Sequence, residues 1–232
     1  MAVVSAFWMA FLLQAGQVPA SAPSYAQTYE VFLRGQLAGT EVVSERTDKN
    51  GNLISSSEHD LLVSDGLETK RVAFTTELTL AKGSRAPVRY ELRYTSGESH
   101  DSCVVTTAGN LLVRTLIRGS RKSEATTTMQ PAMVIVESNV YHLYEQLVRK
   151  YDVKRGGRQI LQAYLPPVGA DIPAALTLLG EEDVATPAGM IRARNFKFEF
   201  VGLANALLSV DKSGRLIRFA NPELELEVIR KQ

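Results

Sequence analysis

Arg71-Val72-Ala73-Phe74-Thr75-Thr76-Glu77-Leu78-Thr79-Leu80 changes character at every second residue. Side chains on a β-strand point to opposite faces in turn. Val72, Phe74, Thr76, Leu78 and Leu80 therefore share one face, and Arg71, Thr75, Glu77 and Thr79 the other. The same period returns elsewhere. Val88, Tyr90, Leu92 and Tyr94 alternate with Arg89, Glu91, Arg93 and Thr95, Phe196, Phe198 and Phe200 with Lys197 and Glu199, and Leu224, Leu226 and Val228 with Glu225 and Glu227. One greasy face and one charged face is the pattern of an antiparallel sheet solvated on one side.

Residues that start turns or accept positive φ punctuate these runs. They are Gly35 to Gly39, Lys49-Asn50-Gly51, Ser64-Asp65-Gly66, Lys82-Gly83, Ala108-Gly109-Asn110, Gly156-Gly157, Pro187-Ala188-Gly189 and Ser213-Gly214. Their spacing predicts about a dozen strands joined by hairpins. No Pro/Ser-rich linker or low-complexity tract interrupts them, which predicts one domain.

One segment breaks the period. Val140, Leu143, Tyr144, Leu147, Val148 and Tyr151 fall at helical spacing, with His142, Glu145, Gln146, Arg149 and Lys150 on the opposite face. Ser138 or Asn139 is the expected cap, Glu145 and Arg149 can pair one turn apart, and Gly156-Gly157 stops the helix. Its apolar stripe is expected to pack on the greasy side of the sheet, like a plug.

Before the strands lies an apolar run, Ala2–Leu13, which has the length of a signal-peptide core and falls short of the ~20 residues that span a bilayer. Ser24 and Ala26 offer a cleavage site before Gln27; Ala20 and Ala22 offer one further back, with Pro23 just after the cut. No Lys or Arg precedes the run, which leaves open a retained anchor or a buried strand. The expected organisation is a signal peptide over 1–26 and one β-rich periplasmic or secreted domain over 27–232, with no permanent membrane span after cleavage. Trp8 leaves with the leader, and Cys103, the single cysteine, lies too deep in the chain to take a lipid. One cysteine also forbids an internal disulfide, so the fold depends on core burial. With 26 basic against 25 acidic side chains, the chain lacks the basic excess that nucleic-acid binding needs.

Catalytic vocabulary is sparse. Cys103 and His100 are three apart, so in a strand they face opposite ways and cannot form a local nucleophile–base pair. His59-Asp60 and His100-Asp101 resemble fragments of a metal site, which would need their two strands to pair. Asp48-Lys49-Asn50-Gly51-Asn52 resembles the start of a calcium loop, but Leu53 stands where the loop needs Gly and His59 where it needs Glu, so it reads as a hairpin turn. Glu181-Glu182-Asp183 reads as a solvated acidic turn, since a glycosidase sets two carboxylates across a cleft. No nucleophile elbow, phosphate loop or dinucleotide fingerprint occurs. No catalytic residue, metal or cofactor is expected.

Two surfaces remain as candidates. Arg149, Lys150, Lys154, Arg155 and Arg158 crowd the end of the helix, where cations suit the helix dipole and could also meet anionic headgroups. Phe74, Tyr90, Tyr94, Leu147, Phe196, Phe198 and Phe200 either belong to the core or line a ligand cavity on the concave side of the sheet.

Tyr29-Glu30-Val31-Phe32-Leu33-Arg34-Gly35, followed by Ala38-Gly39-Thr40-Glu41, resembles the first hairpin of an uncharacterised family of bacterial secreted β-proteins. Ser138-Asn139 through Tyr151-Asp152, and Val210-Asp211-Lys212-Ser213-Gly214-Arg215-Leu216-Ile217-Arg218-Phe219, are similar to its later landmarks. The resemblance implies a mainly β fold: a single highly curved antiparallel sheet, half-barrel or spiral, with one amphipathic helix on its concave face. That architecture is akin to LolA-like half-barrel carriers and envelope-integrity proteins, and the resemblance supplies no catalytic residues. The leading functional expectation is a non-enzymatic envelope protein that binds a lipid, acyl chain, hydrophobic small molecule or lipoprotein segment in an apolar concavity. The alternatives are a structural or protein-interaction module with a filled core, recruiting an envelope protein through an exposed edge strand, and an outer-membrane β-barrel.

Overall fold

The computed structural model describes residues 24–64, 69–96, 99–202 and 204–231. Trp8 and most of the leader lie outside them, as do Asp65 and Gly66 of one expected turn. The alternating stretches form β1 (Tyr25–Leu33), β2 (Gln36–Thr47), β3 (Leu53–Ser64), β4 (Thr69–Leu80), β5 (Pro87–Ser96), β6 (Ser99–Ala108), β7 (Leu111–Arg118) and β8 (Arg121–Thr128). After these come β9 (Val134–Ile135), a 3-10 turn (Tyr141–Tyr144) and helix α1 (Glu145–Lys150). The chain returns through β10 (Arg158–Leu165), β11 (Ala170–Thr186), β12 (Gly189–Phe200), β13 (Ala204–Val210), β14 (Leu216–Asn221) and β15 (Leu226–Arg230).

All belong to one sheet. β1 to β8 form one antiparallel meander and β10 to β15 another, and they join where β1 pairs with β15, Val31 opposite Val228. β9 adds to β10 in parallel, so β8 and β9 are the two free edges. The sheet curls until its two ends meet without closing the ladder. Arg114 on β7 donates to the carbonyls of Pro166 and Pro167, 3.3 Å each, in the turn after β10.

Inward faces are as the alternation predicts on β4, where Val72, Phe74, Thr76, Leu78 and Leu80 are all buried. Phe196, Phe198 and Phe200 on β12 are buried too. Three details differ. Leu224 stands in a 3-10 turn, with Glu225 in the left-handed region at φ 51°, so the last strand begins only at Leu226. Gly39 lies inside β2 and not in a turn, because a Cβ there would sit 2.0 Å from the Asp60 carbonyl of β3. β8, Arg121-Lys122-Ser123-Glu124-Ala125-Thr126-Thr127-Thr128, carries no alternation, since most of its side chains are exposed.

The helical segment follows expectation in place and departs from it in detail. Met133–Val136, Tyr141, Leu143, Tyr144, Leu147 and Val148 plug the concave side within the single main core. Ser138 and Asn139 do not cap it. The turn begins at Tyr141 without any local side-chain cap. Instead Glu41, from β2, accepts the Tyr141 and His142 backbone N–H groups at 3.1 and 3.4 Å. His142, Glu145 and Gln146, expected on a solvated face, are buried, because the sheet wraps the helix on more than one side.

Candidate functional site

In an up-and-down meander alternate turns share an end. The turns after β1, β7, β10 and β14 lie, with the last residues of β3, β5 and β12, at one end of the curled sheet, which we call the mouth. Lys150 Nζ reaches the Ser84 carbonyl in the turn after β4, so α1 ends toward the opposite end.

Across the middle of the interior runs one row of paired residues: Glu41, His59, Phe74 and Tyr94, each opposite the next on adjacent strands β2 to β5. The His59 and Phe74 rings stack at 4.1 Å and 8°, and Phe74 and Tyr94 at 5.8 Å and 11°. Glu41 is fully buried, and His142 Nδ1–H donates to it at 2.5 Å. His59 Nε2 lies 2.7 Å from Ser57 Oγ and 3.7 Å from Glu41 Oε1, and Ser57 Oγ is 2.7 Å from Thr76 Oγ1. A serine, a histidine and a carboxylate thus meet, but not as a catalytic triad. Serine and carboxylate approach the same imidazole nitrogen, whereas a triad needs the carboxylate on the other one. The group is also sealed from solvent. Burial lowers the His59 pKa to about 4, against the pull of Glu41, so its ring is neutral at pH 7.

A second buried network fixes α1. Arg215, just before β14, holds Glu45 of β2 through two bonds of 2.7 and 2.5 Å and reaches Glu145 at 3.2 Å. Glu145 also accepts from Arg149 and from the Leu216 backbone N–H, both at 2.9 Å. Burial works against ionised Glu45, but Arg215 carries its pKa below the usual range. Sequence reading foresaw the Glu145–Arg149 pair and missed Glu45 and Arg215, which sit 170 residues apart in the chain.

The nominated aromatic set divides. Phe196 and Phe198 grip the plug edge-on, Tyr151 meeting Phe196 at 5.2 Å and Tyr144 meeting Phe198 at 5.2 Å, and Phe200 meets Tyr144 at a tilt, 6.3 Å away. Leu147 and Tyr90 are fully buried, and Phe74 lies in the stacked row. Tyr94 lines one of the cavities described below. The basic cluster likewise disperses: Arg149 pairs with Glu145, Lys150 with Ser84, and Arg158 with Glu199 at 3.2 Å, leaving Lys154 and Arg155 on an exposed turn. The strands that carry His59 and His100 do not pair either, because β4 and β5 lie between them. Among the described residues no group of His, Cys, Asp and Glu could hold a metal ion. Cys103 is buried, and burial pushes its thiol up to about 11.

Open space lies at the mouth, on either side of the Glu137–Tyr141 segment. One cavity, of about 420 Å³, has Leu92, Tyr94, Leu116 and Pro167 as apolar walls, with Asp101, Arg118 and Glu137 among its polar lining. The other, of about 290 Å³, is lined mainly by Val31, Leu33, Leu61, Leu62, Tyr141 and Leu226. Exposed Leu37 and Leu62 near strand ends, and Val168, Val201 and Leu224 on turns, stand around them. A larger hollow of about 720 Å³ lies at the other end, beside Met190, Arg194, Lys212 and Arg230, with a mixed charged lining.

The fold is similar to that of a β-barrel-like protein of domain of unknown function DUF1849 from Brucella abortus. That crystal structure matches with a TM-score of 0.59 at 7% identity, covering 89% of this chain and 94% of that one. The likeness is one of fold: a β-rich, half-barrel-like domain. No family model matches the sequence, and no curated protein does.

Proposed function

We propose that this protein is a non-enzymatic binding module of the bacterial envelope that holds the apolar part of a lipid, acyl chain or hydrophobic small molecule at its mouth. One observation carries the reading: the concave interior is filled by the plug, while two largely apolar cavities stay open beside Glu137–Tyr141. The larger falls within the ~300–1,000 Å³ of ordinary ligand pockets. Each methylene moved into it gains roughly 0.8 kcal/mol, so a short alkyl segment suffices for binding once association costs are met. The ligand site is thus displaced from the concave face expected from sequence to the rim of that face. The basic residues at the end of α1 do not line it.

The other readings have less support. The outward faces carry Arg71 and Arg93, both exposed, where a membrane barrel would present apolar side chains to lipid. The free edge β8 carries Arg121, Lys122 and Glu124, charges that discourage the addition of a partner strand. Among the described residues no helix is long and apolar enough to cross a membrane.

The test is titration with the neutral dye N-phenyl-1-naphthylamine. Saturable binding is expected, weakened about tenfold or more by Leu116→Glu in the larger cavity or Leu62→Glu at the smaller, with both variants folded by circular dichroism. Dye binding that ignores both substitutions would overturn the proposal.

A further inference from the structure

Beneath the larger cavity, polar atoms stand without partners. Glu137 Oε1 accepts the Ser138 backbone N–H at 3.0 Å, but its Oε2 is buried and makes no hydrogen bond. The hydroxyl of Tyr90, a fully buried residue of β5, also lacks a partner. A buried carboxylate oxygen left unpaired is costly, and unpaired polar atoms at a cavity are where a ligand's own polar group repays that cost. Among the described residues no cation lies within salt-bridge distance of Glu137; the structure pairs Arg114 with backbone carbonyls instead.

We infer that this cavity holds the polar end of the ligand, and that this end is a primary ammonium received by Glu137 while the alkyl body lies against Leu92, Tyr94 and Leu116. The inference rests on the mouth being the ligand site. An ammonium supplies three donors and no acceptor, which matches an acceptor-only carboxylate. A carboxylate or phosphate head would meet Arg118 but also two like charges, Glu137 and Asp101.

The surroundings define how binding responds to pH. Tyr90 and Tyr94 stand beside the carboxyl from β5, Asp101 and Cys103 from β6, Arg118 from β7 and Tyr144 from the 3-10 turn. Burial pushes the Glu137 carboxyl up to about 7, opposed by the Ser138 N–H. The carboxylate that an ammonium needs is therefore scarce at pH 6 and dominant at pH 8, whereas Tyr90 and Cys103 stay neutral throughout because burial raises both.

The experiment displaces the bound dye with decylamine, 1-decanol and decanoate, on the wild type and on Glu137→Gln, at pH 6 and pH 8. Decylamine should compete at least tenfold better than decanol on the wild type at pH 8. Its advantage should shrink at pH 6 and vanish in Glu137→Gln, which should still bind decanol and so report an intact cavity. Equal competition by amine and alcohol, or an amine advantage that survives Glu137→Gln, would overturn the ammonium assignment while leaving the mouth as the site. If none of the three displaces the dye, the mouth reading itself fails, and this inference with it.

Discussion

His59 shows how a single buried residue ties stability to pH. Its ring lies flat on Phe74, its Nε2 meets Ser57, and neither Glu41 nor His142 is solvated. Burial, the dominant cause, lowers its pKa to about 4; Glu41 raises it and His142 lowers it further. An unfolded imidazole titrates near ~6.5. As pH falls below that value the unfolded chain takes up a proton that the native state refuses until about pH 4. Stability must therefore decline across this window, by about 3 kcal/mol if the full difference is expressed. Glu41 acts in the same direction: burial opposes its ionisation, but the two imidazoles hold its pKa below the ordinary value. Its contribution is present above the unfolded pKa and lost as pH falls through the lower folded one. Urea unfolding at pH 7, 6 and 5 should show the decline, and His59→Gln should flatten it. Equal pH slopes in the two proteins would sink the assignment.

At the scale of elements, α1 has six residues, too few to hold a helix alone in water. Tertiary contacts hold it, and they are polar as well as apolar. Glu41 takes the leading N–H groups of the 3-10 turn that runs into it, and Arg215 bridges Glu145 of the helix to Glu45 of β2. Arg215→Met removes the cation and leaves two largely buried carboxylates facing one another, which should cost about 3–5 kcal/mol in denaturant unfolding. Arg149→Met, whose side chain is 25% exposed, should cost about 1 kcal/mol or less. If the two variants lose equal stability, Arg215 is not the pin. The same residues explain what the sequence could reveal. Apolar positions 140, 143, 144, 147, 148 and 151 placed the plug correctly, because helical period survives whatever surrounds the helix. The direction of His142, Glu145 and Gln146 was not legible, since reading a polar face as wet assumes solvent on one side. Here that side holds acceptors and donors supplied by strands 70 to 101 residues away in sequence. The site was partly legible for a similar reason. Alternation places Tyr94 on the inward face, but only the packed structure decides that Phe196, Phe198 and Phe200 spend their area on the plug and that Glu137 reaches the mouth.

For the whole molecule, closure depends on the first and last strands. Val31 faces Val228, and Arg230 pairs with Asp211 at 2.8 Å. A chain ending at Glu225 would leave β1 and β14 with bare edges and should lose its cooperative thermal transition. The start of the chain poses a sharper question. β1 begins at Tyr25, and Tyr25 and Ala26 already pair with Glu45 and Ser44. Ser24 adds two bonds to the Glu45 carbonyl, at 2.8 Å from its N–H and 3.1 Å from its hydroxyl. The Arg215 guanidinium, already committed to two carboxylates, lies 4.1 Å above the Tyr25 ring. A leader cut before Gln27 would remove that ring and the strand around it, whereas a cut after Ala22 would keep both. If the leader is cleaved on export, we therefore propose a mature chain that begins at Pro23, which its intact mass would show directly. Stability supplies an independent arm. A cation over a partly buried ring contributes about 1–2 kcal/mol, so a chain made to start at Gln27 should melt roughly 2–8 °C below one starting at Pro23. Identical melting temperatures, or an exported mass that starts at Gln27, would mean that the sheet closes without its first three paired residues and that Arg215 needs no ring beneath it.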